Sequence, residues 1–234
     1  MKKYSLYLES GPHQRTTMVH VIDLLGCVVS GATTEQALDA TPDAIRAFQR
    51  FLRQHDKTIK SDGEFKIVIV QHVMEGSWIG YGDPASGFKP DFEPMAAKDL
   101  TVYLKRLTWL QSDLLKLVRE LPLKQLLAEP KTTGRSLYGI LDHVAESHAV
   151  YLRYLVGKVD GMADALKAIK EPEQLTDALP RLWQISNARL QTLTEQERSH
   201  QVPHGQVTWT ARRAMWRMLE HHWEHLQEVK SRLA

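Results

Sequence analysis

The sequence predicts an α+β protein in which a small β-β-β-α-β domain precedes an all-α four-helix bundle. Alternating or β-branched segments and one helical stretch fill the amino-terminal third, whereas after Pro94 apolar residues recur at helical spacing and predict that every segment is helical. Residues 76–94, between these parts, are rich in glycine, proline and aspartate, as loops are. We therefore predict domains at residues 1–75 and 95–234, joined by a linker at residues 76–94. The linker should be held on the surface by its aromatic side chains, Trp78, Tyr81, Phe88 and Phe92.

Four segments of the amino-terminal domain have the composition of β-strands. They alternate apolar and polar residues or are rich in β-branched side chains, and they cover residues 4–9, 18–22, 27–30 and 65–70. One helix separates the third strand from the fourth. Thr33 or Thr34 can cap it, and Glu35 lies in its first turn. Pro42 lies inside this helix and removes a backbone hydrogen bond, so we expect a kink or a break near residues 40–41.

Four amphipathic helices are predicted in the carboxy-terminal domain. They cover residues 98–120, 136–156 and 175–193, and the last begins at Thr208 or Thr210 and continues past residue 229. Four helices of this length are typical of a four-helix bundle. Three tryptophans recur every seven residues along the last predicted helix and predict a packing stripe against a neighbouring helix or a second copy of the chain: Trp209, Trp216 and Trp223. Three nearby arginines could meet an anionic substrate, but we expect them on a solvated helix surface: Arg212, Arg213 and Arg217.

Composition and charge exclude several classes of partner. The 234 residues carry a net charge of +2, which gives no electrostatic reason to expect nucleic acid or a membrane surface as a partner. No apolar stretch approaches the roughly 20 residues of a membrane span, and the first residues lack the apolar core of a signal peptide. The single cysteine, Cys27, forms no internal disulfide and is expected to be a buried small apolar residue. We expect a soluble cytoplasmic protein.

Clustered histidines are the main functional signal. His221 and His225 lie one helical turn apart, so both imidazoles can reach one metal ion from the same helix face. His222 and His225 form a competing pair, and spacing alone does not decide between the two pairs. His143 and His148, on an earlier predicted helix, can supply a third ligand. Imidazole ligands suit zinc, nickel or iron, and a site with three histidines leaves a position open for substrate.

Two histidine-bearing segments resemble the DinB-like helical-bundle superfamily. They are RSLYGILDHVAESHAVYL at residues 135–152 and RAMWRMLEHHWEHL at residues 213–226. The resemblance extends from about residue 92 to residue 234. It implies a four-helix bundle, often dimeric, that holds a metal with one histidine of the second helix and a pair from the fourth. The implied metal ligands are His143, His221 and His225.

The same resemblance implies a class of chemistry. Some similar proteins are thiol S-transferases that join a low-molecular-weight thiol to an electrophile, and others are isomerases or hydrolases. We therefore expect a metal-dependent enzyme that acts on a small molecule, most plausibly a thiol transferase or a hydrolase. Glu224 and Glu146 are available to orient the ligands or to act as a general base. Either carboxylate taken alone is more often an ordinary helix-surface residue.

The amino-terminal part is similar to HicB-like antitoxin domains. The likeness is carried by DLLGCVVSGATTEQAL at residues 23–38, in which Gly26 and Gly31 suit tight turns and a threonine caps the helix. It extends over about residues 4–73. The alternative function is therefore a non-enzymatic regulatory protein, with a partner-recognition domain and a helical bundle that forms a homodimer.

Overall fold

A computed structural model describes residues 1–12, 16–60, 63–76, 79–82, 87–130 and 134–233. The predicted α+β class is confirmed. In the amino-terminal part, the predicted β-β-β-α-β order appears as four strands and one helix: β1 (Lys2–Ser10), β2 (Thr17–Val21), β3 (Val28–Gly31), α1 (Thr34–His55) and β4 (Phe65–Val73). The predicted linker falls partly on residues outside the described ranges, Trp78 among them, and the domain limits stay a prediction.

These strands form one sheet in the order β3-β2-β1-β4. β2 is antiparallel to β1 and β3, whereas β4 returns after α1 and pairs parallel to β1. Because side chains alternate along a strand, the paired residues Leu8 and Val19 point to one face and the paired residues Tyr7 and His20 to the other. α1 lies along β2 and β3.

α1 is continuous from Thr34 to His55, so it has no break near residues 40–41, and the alternative expectation of a kink there stays a prediction. Pro42 removes only one backbone donor, and Ile45, Phe48 and Leu52 bury the following turns in the core. The helix begins as predicted, because the backbone N–H of Gln36 donates to the hydroxyl of its cap, Thr33.

Seven α-helices follow among the described residues of the carboxy-terminal part. Four are long and correspond to the predicted ones: α2 (Ala97–Val118), α4 (Leu137–Val156), α6 (Leu175–Gln191) and α8 (Ala211–Leu233). Contacts of α2 with α8, α8 with α4, α4 with α6, and α6 with α2 close the four-helix bundle. Three short helices lie in the connections: α3 (Leu123–Leu127), α5 (Met162–Ile169) and α7 (Glu195–Ser199).

A β-hairpin precedes α8, so the expectation that every segment after Pro94 is helical is wrong. Its strands are β5 (Val202–His204) and β6 (Val207–Trp209), and Gly205 in the turn has a φ of +62°. Each strand has three residues, too few for alternation to be distinguished from helical spacing. Trp209, which was expected on the last helix, lies in β6 and packs against Tyr151 and Tyr154 of α4.

α8 is buried on two sides, because it contacts both the bundle and the amino-terminal sheet. Trp216 lies 4.9 Å from the ring of His20 and 5.5 Å from that of Phe88, measured between ring centroids. Arg213 and Arg217 are 1% and 4% exposed, so the expected solvated arginine surface is wrong for both. Of the aromatic residues expected to hold the linker at residues 76–94, Phe88 is fully buried, whereas Tyr81 is 71% exposed.

Gly26 lies where α1 and α8 approach the same turn, and its φ of +103° is unfavourable for other residues. A Cβ at this position would lie 2.7 Å from Cζ of Phe48 and 3.4 Å from Cβ of Leu219. We expect Gly26→Ala to lower the free energy of unfolding by about 2–4 kcal/mol, since backbone strain and overpacking add. Urea unfolding followed by circular dichroism measures this.

Gly63→Ala is the matched control. Its φ is +61°, yet no atom of the described residues lies within 4 Å of the added Cβ, so only the backbone cost of about 1–2 kcal/mol remains. Equal losses in the two variants would show that the contact with Phe48 does not matter.

Candidate metal centre

Three histidine side chains converge where α4 and α8 meet. His143 lies on α4, and His221 and His225 lie one turn apart on α8. The Nε2 atom of His221 is 3.0 Å from Nε2 of His143 and 3.2 Å from Nε2 of His225. One nitrogen of each ring lies within 4.8 Å of one nitrogen of both others. Histidines that are 78 residues apart in the chain thus present nitrogens to one point.

The two separations from Nε2 of His221 fit a shared metal ion. Two nitrogens about 2.1 Å from one ion lie roughly 3.0–3.4 Å apart for bond angles of about 90–109°. Hydrogen bonding accounts for the cluster less well. Nε2 of His221 has either one hydrogen or one lone pair, so it can form one good hydrogen bond, yet it has two close nitrogen neighbours. A cation held by the three lone pairs satisfies both close contacts.

Glu228 fixes the orientation of one ring. Its carboxylate lies 2.8 Å from Nδ1 of His225 and also binds Arg232. Because the ionised carboxylate can only accept, Nδ1 of a neutral His225 carries the hydrogen, and its Nε2 presents a lone pair to the cluster. The sequence analysis missed Glu228, although its position three residues after His225 places it on the same helix face.

The local environment keeps two of the rings neutral. Burial, the positive charge of Arg135 and the neighbouring His225 together lower the pKa of His143 to about 4. Burial first, and then the neighbouring histidines, hold the pKa of His221 well below its ordinary value. Neutral imidazole is the form that binds metal, so protons compete weakly for both residues at pH 7.

The competing pair of His222 and His225 does not form. His222 is fully buried, and its Nδ1 lies 2.8 Å from the carbonyl oxygen of Met218 on the same helix. His148 is also buried, with Nε2 2.6 Å from the hydroxyl of Ser186 on α6. The rings of His148 and His222 lie 5.2 Å apart in the bundle core, and neither belongs to the three-histidine group.

Only one of the two candidate carboxylates faces the histidines. Glu224 is partly buried beside His221 and His225, and burial, followed by the charge of Glu220, raises its pKa to about 7. Glu146 is 51% exposed and forms an ion pair with Lys170. Glu224, and not Glu146, therefore lines the cleft that contains the histidines.

A cleft of about 1010 Å³ opens onto the cluster. Its walls come from both parts of the chain: the bundle contributes the three histidines, Glu224 and Glu228, and the amino-terminal part contributes β2, β3, α1 and Gly80–Tyr81. A smaller pocket of about 210 Å³ adjoins His143 and His221 and is lined by Tyr151 and Arg217. The amino-terminal side of the cleft was not predicted, because a local sequence pattern does not show which distant segments pack together.

Comparison with known proteins supports the helical part of the sequence analysis. No curated protein and no solved structure matches the chain. A match to a family model is confined to the helical region, so the likeness of residues 4–73 to HicB-like domains stays a prediction. Among the described helices, none has the length and apolar character needed to cross a membrane. A family model described as the DinB superfamily matches residues 106–229, more than half of the sequence and all three clustered histidines. The chain therefore belongs to the DinB superfamily.

Proposed function

We propose that this protein is a divalent-metal-dependent enzyme that acts on a small molecule, with His143, His221 and His225 as the metal ligands. The observation that supports it is the convergence of three imidazole nitrogens at one end of a large cleft. Three protein ligands leave a position for substrate or water, as in catalytic rather than structural sites. Zinc, nickel or iron would suit this set of donors.

Thiol transfer and hydrolysis are the two reactions that this site suits best. A metal ion bound here would lower the pKa of a thiol or a water molecule and so supply a nucleophile at neutral pH. Glu224 is the residue that accepts the released proton, because its carboxylate lines the same cleft as the three histidines. Glu228 holds His225 in the required tautomer. The substrate enters through the cleft.

Metal content tests this proposal. The full chain, purified without a metal-binding tag, should contain about one divalent ion per molecule by inductively coupled plasma mass spectrometry. His143→Ala, His221→Ala and His225→Ala should each lose most of it, because two remaining imidazoles rarely hold a divalent ion. Glu228→Gln should weaken metal binding about 10- to 100-fold, since it removes the carboxylate that orients His225.

Two histidine variants serve as controls. His200→Ala changes an exposed residue outside the cleft, and His222→Gln changes the immediate neighbour of a proposed ligand. Both should keep their metal. A wild-type protein that stays empty after incubation with zinc, nickel and iron would contradict the proposed function. A loss of metal in His222→Gln, with the fold intact by circular dichroism, would contradict the assigned ligands.

A further inference from the structure

We infer that the cleft selects a small anionic amphiphile, and that the amino-terminal part of the chain supplies the wall that holds its apolar body. This inference rests on the proposed function, because the substrate would lie beside the three histidines. It adds the class of molecule and a role for a part of the chain that provides none of the proposed ligands. Three observations carry it: an apolar wall, a cation without a carboxylate partner, and the charge balance.

The apolar wall lies opposite α8. Val28 and Val29 of β3 line it together with Ala44 and Ala47 of α1, and Trp223 of α8 lines the same cleft. Ala44 and Ala47 are three residues apart and so lie on the same helix face. Neither alanine is fully buried, and their small side chains leave space where larger residues would fill the cleft. A hydrocarbon chain or ring packed here would remove its surface from water, which stabilises binding.

Arg135 supplies the cation. It lies just before α4 and lines the cleft, and its charge is close enough to lower the pKa of His143. Within the described ranges, its guanidinium forms no salt bridge, whereas the cleft carboxylate of Glu228 is held by Arg232 and His225. Gln227 also lines the cleft, and its Nε2 is a buried donor without a partner in the same ranges. An anionic group on the ligand would satisfy such donors.

The charge balance favours an anion over a cation. The three proposed ligands are neutral imidazoles, so they compensate none of the charge of a divalent ion. Arg135 adds a further positive charge, and Glu224, which no described side chain holds in a hydrogen bond or ion pair, offsets one charge, so the cleft with a divalent ion bound keeps a net positive charge. A ligand with an apolar body and a carboxylate therefore matches both the wall and the charge of this cleft.

Three eight-carbon probes separate these contributions: octanoate, octanol and octylamine. Each is titrated into the full chain by isothermal calorimetry, with metal bound and after chelation of the metal. We expect octanoate to bind more tightly than octanol in both forms, and octylamine to bind most weakly when metal is present. Arg135→Gln should lower octanoate affinity about tenfold and leave octanol unchanged, because it removes a charge-assisted hydrogen bond. Ala44→Trp should weaken octanoate and octanol alike.

Each variant has a matched control on the same molecule. Arg50→Gln removes an exposed arginine, and Ala97→Trp adds an indole at an exposed position of α2 outside the cleft. Both should bind like the wild type. Equal affinity for octanoate and octanol, or an octanoate preference that survives Arg135→Gln in metal-free protein, would overturn the inference. Metal content measured on the same samples keeps the proposals separate, since a metal-loaded protein with no carboxylate preference overturns only this one.

Discussion

Trp223→Ala is expected to lower the free energy of unfolding by about 3–5 kcal/mol, the usual cost of truncating a buried aromatic residue. The indole is 5% exposed and lies 4.9 Å from the ring of Phe48 at an interplanar angle of 89°. It also lies 5.3 Å from the ring of Phe51. Both phenylalanines belong to α1, so the substitution leaves a cavity at the contact between the amino-terminal part and α8. Urea unfolding followed by circular dichroism gives the loss.

Trp109→Ala provides the comparison. This tryptophan of α2 is only partly buried and stacks on His55 at an interplanar angle of 16°. Its truncation should cost about 1–2 kcal/mol, because the side chain of Trp109 buries less apolar surface on folding than that of Trp223 does. If the two variants lose the same stability, the contact of Trp223 with α1 is not a main source of stability.

The second large effect concerns a buried ion pair between the sheet and the bundle. Nδ1 of His20 lies 2.9 Å from a carboxylate oxygen of Glu220, and both side chains are almost completely buried. Burial opposes protonation of His20, but the attraction of Glu220 outweighs it, and hydrogen bonds with Glu220 and Glu9 add to this attraction. The pKa of His20 is therefore raised to about 9. Glu220→Ala should cost about 3–5 kcal/mol at about pH 6, because it leaves His20 buried without this partner.

The raised pKa also gives the wild-type protein a pH-dependent stability. In the unfolded chain His20 titrates near 6.5, so between about pH 6.5 and about pH 9 the folded state binds this proton and the unfolded state does not. Its contribution is full below about pH 6.5 and is lost as the pH rises through about 9, on the order of 3 kcal/mol in all. Urea unfolding at a series of pH values measures the slope.

Two variants check the origin of this slope. Glu220→Ala should flatten the fall in stability between about pH 7 and about pH 9, because the pKa of His20 returns toward or below its ordinary value. Asp43→Ala breaks an exposed ion pair with Arg46 and should change stability by less than about 1 kcal/mol, with the slope retained. A slope that persists in Glu220→Ala would show that His20 is not its source.

The long elements were predictable because their patterns are repeated over several turns. Each bundle helix buries a stripe that recurs through the segment, so the predicted and observed limits of the helix from Ser136 differ little. The break at Pro42 was wrongly predicted because the local effect of proline is smaller than the stabilisation that α1 gains by burying its apolar side chains in the core. The hairpin around Gly205 was missed because strands of three residues give no periodic signal. Tertiary packing decided both cases.

The candidate site was predictable only in part. Spacing placed His221 and His225 on one face but gave equal standing to His222, and the family resemblance was needed to join His143 to the pair. The burial of Arg217 was unpredictable for a physical reason: bundle helices usually have one solvated side, and α8 has another layer there. Likewise, His20 and Glu220 are 200 residues apart, so only the packing of the two parts brings them together.

The residues proposed to bind the metal and the residues proposed to contact the apolar body of the ligand are encoded in separate stretches of the gene. The proposed ligands lie at or after residue 143, whereas the valine and alanine wall lies before residue 48. Substitutions at Ala44 or Ala47 can therefore reshape the space for a bound molecule without altering a histidine. In a lineage of such proteins, selection can act on the choice of molecule while the chemistry at the histidines is inherited unchanged.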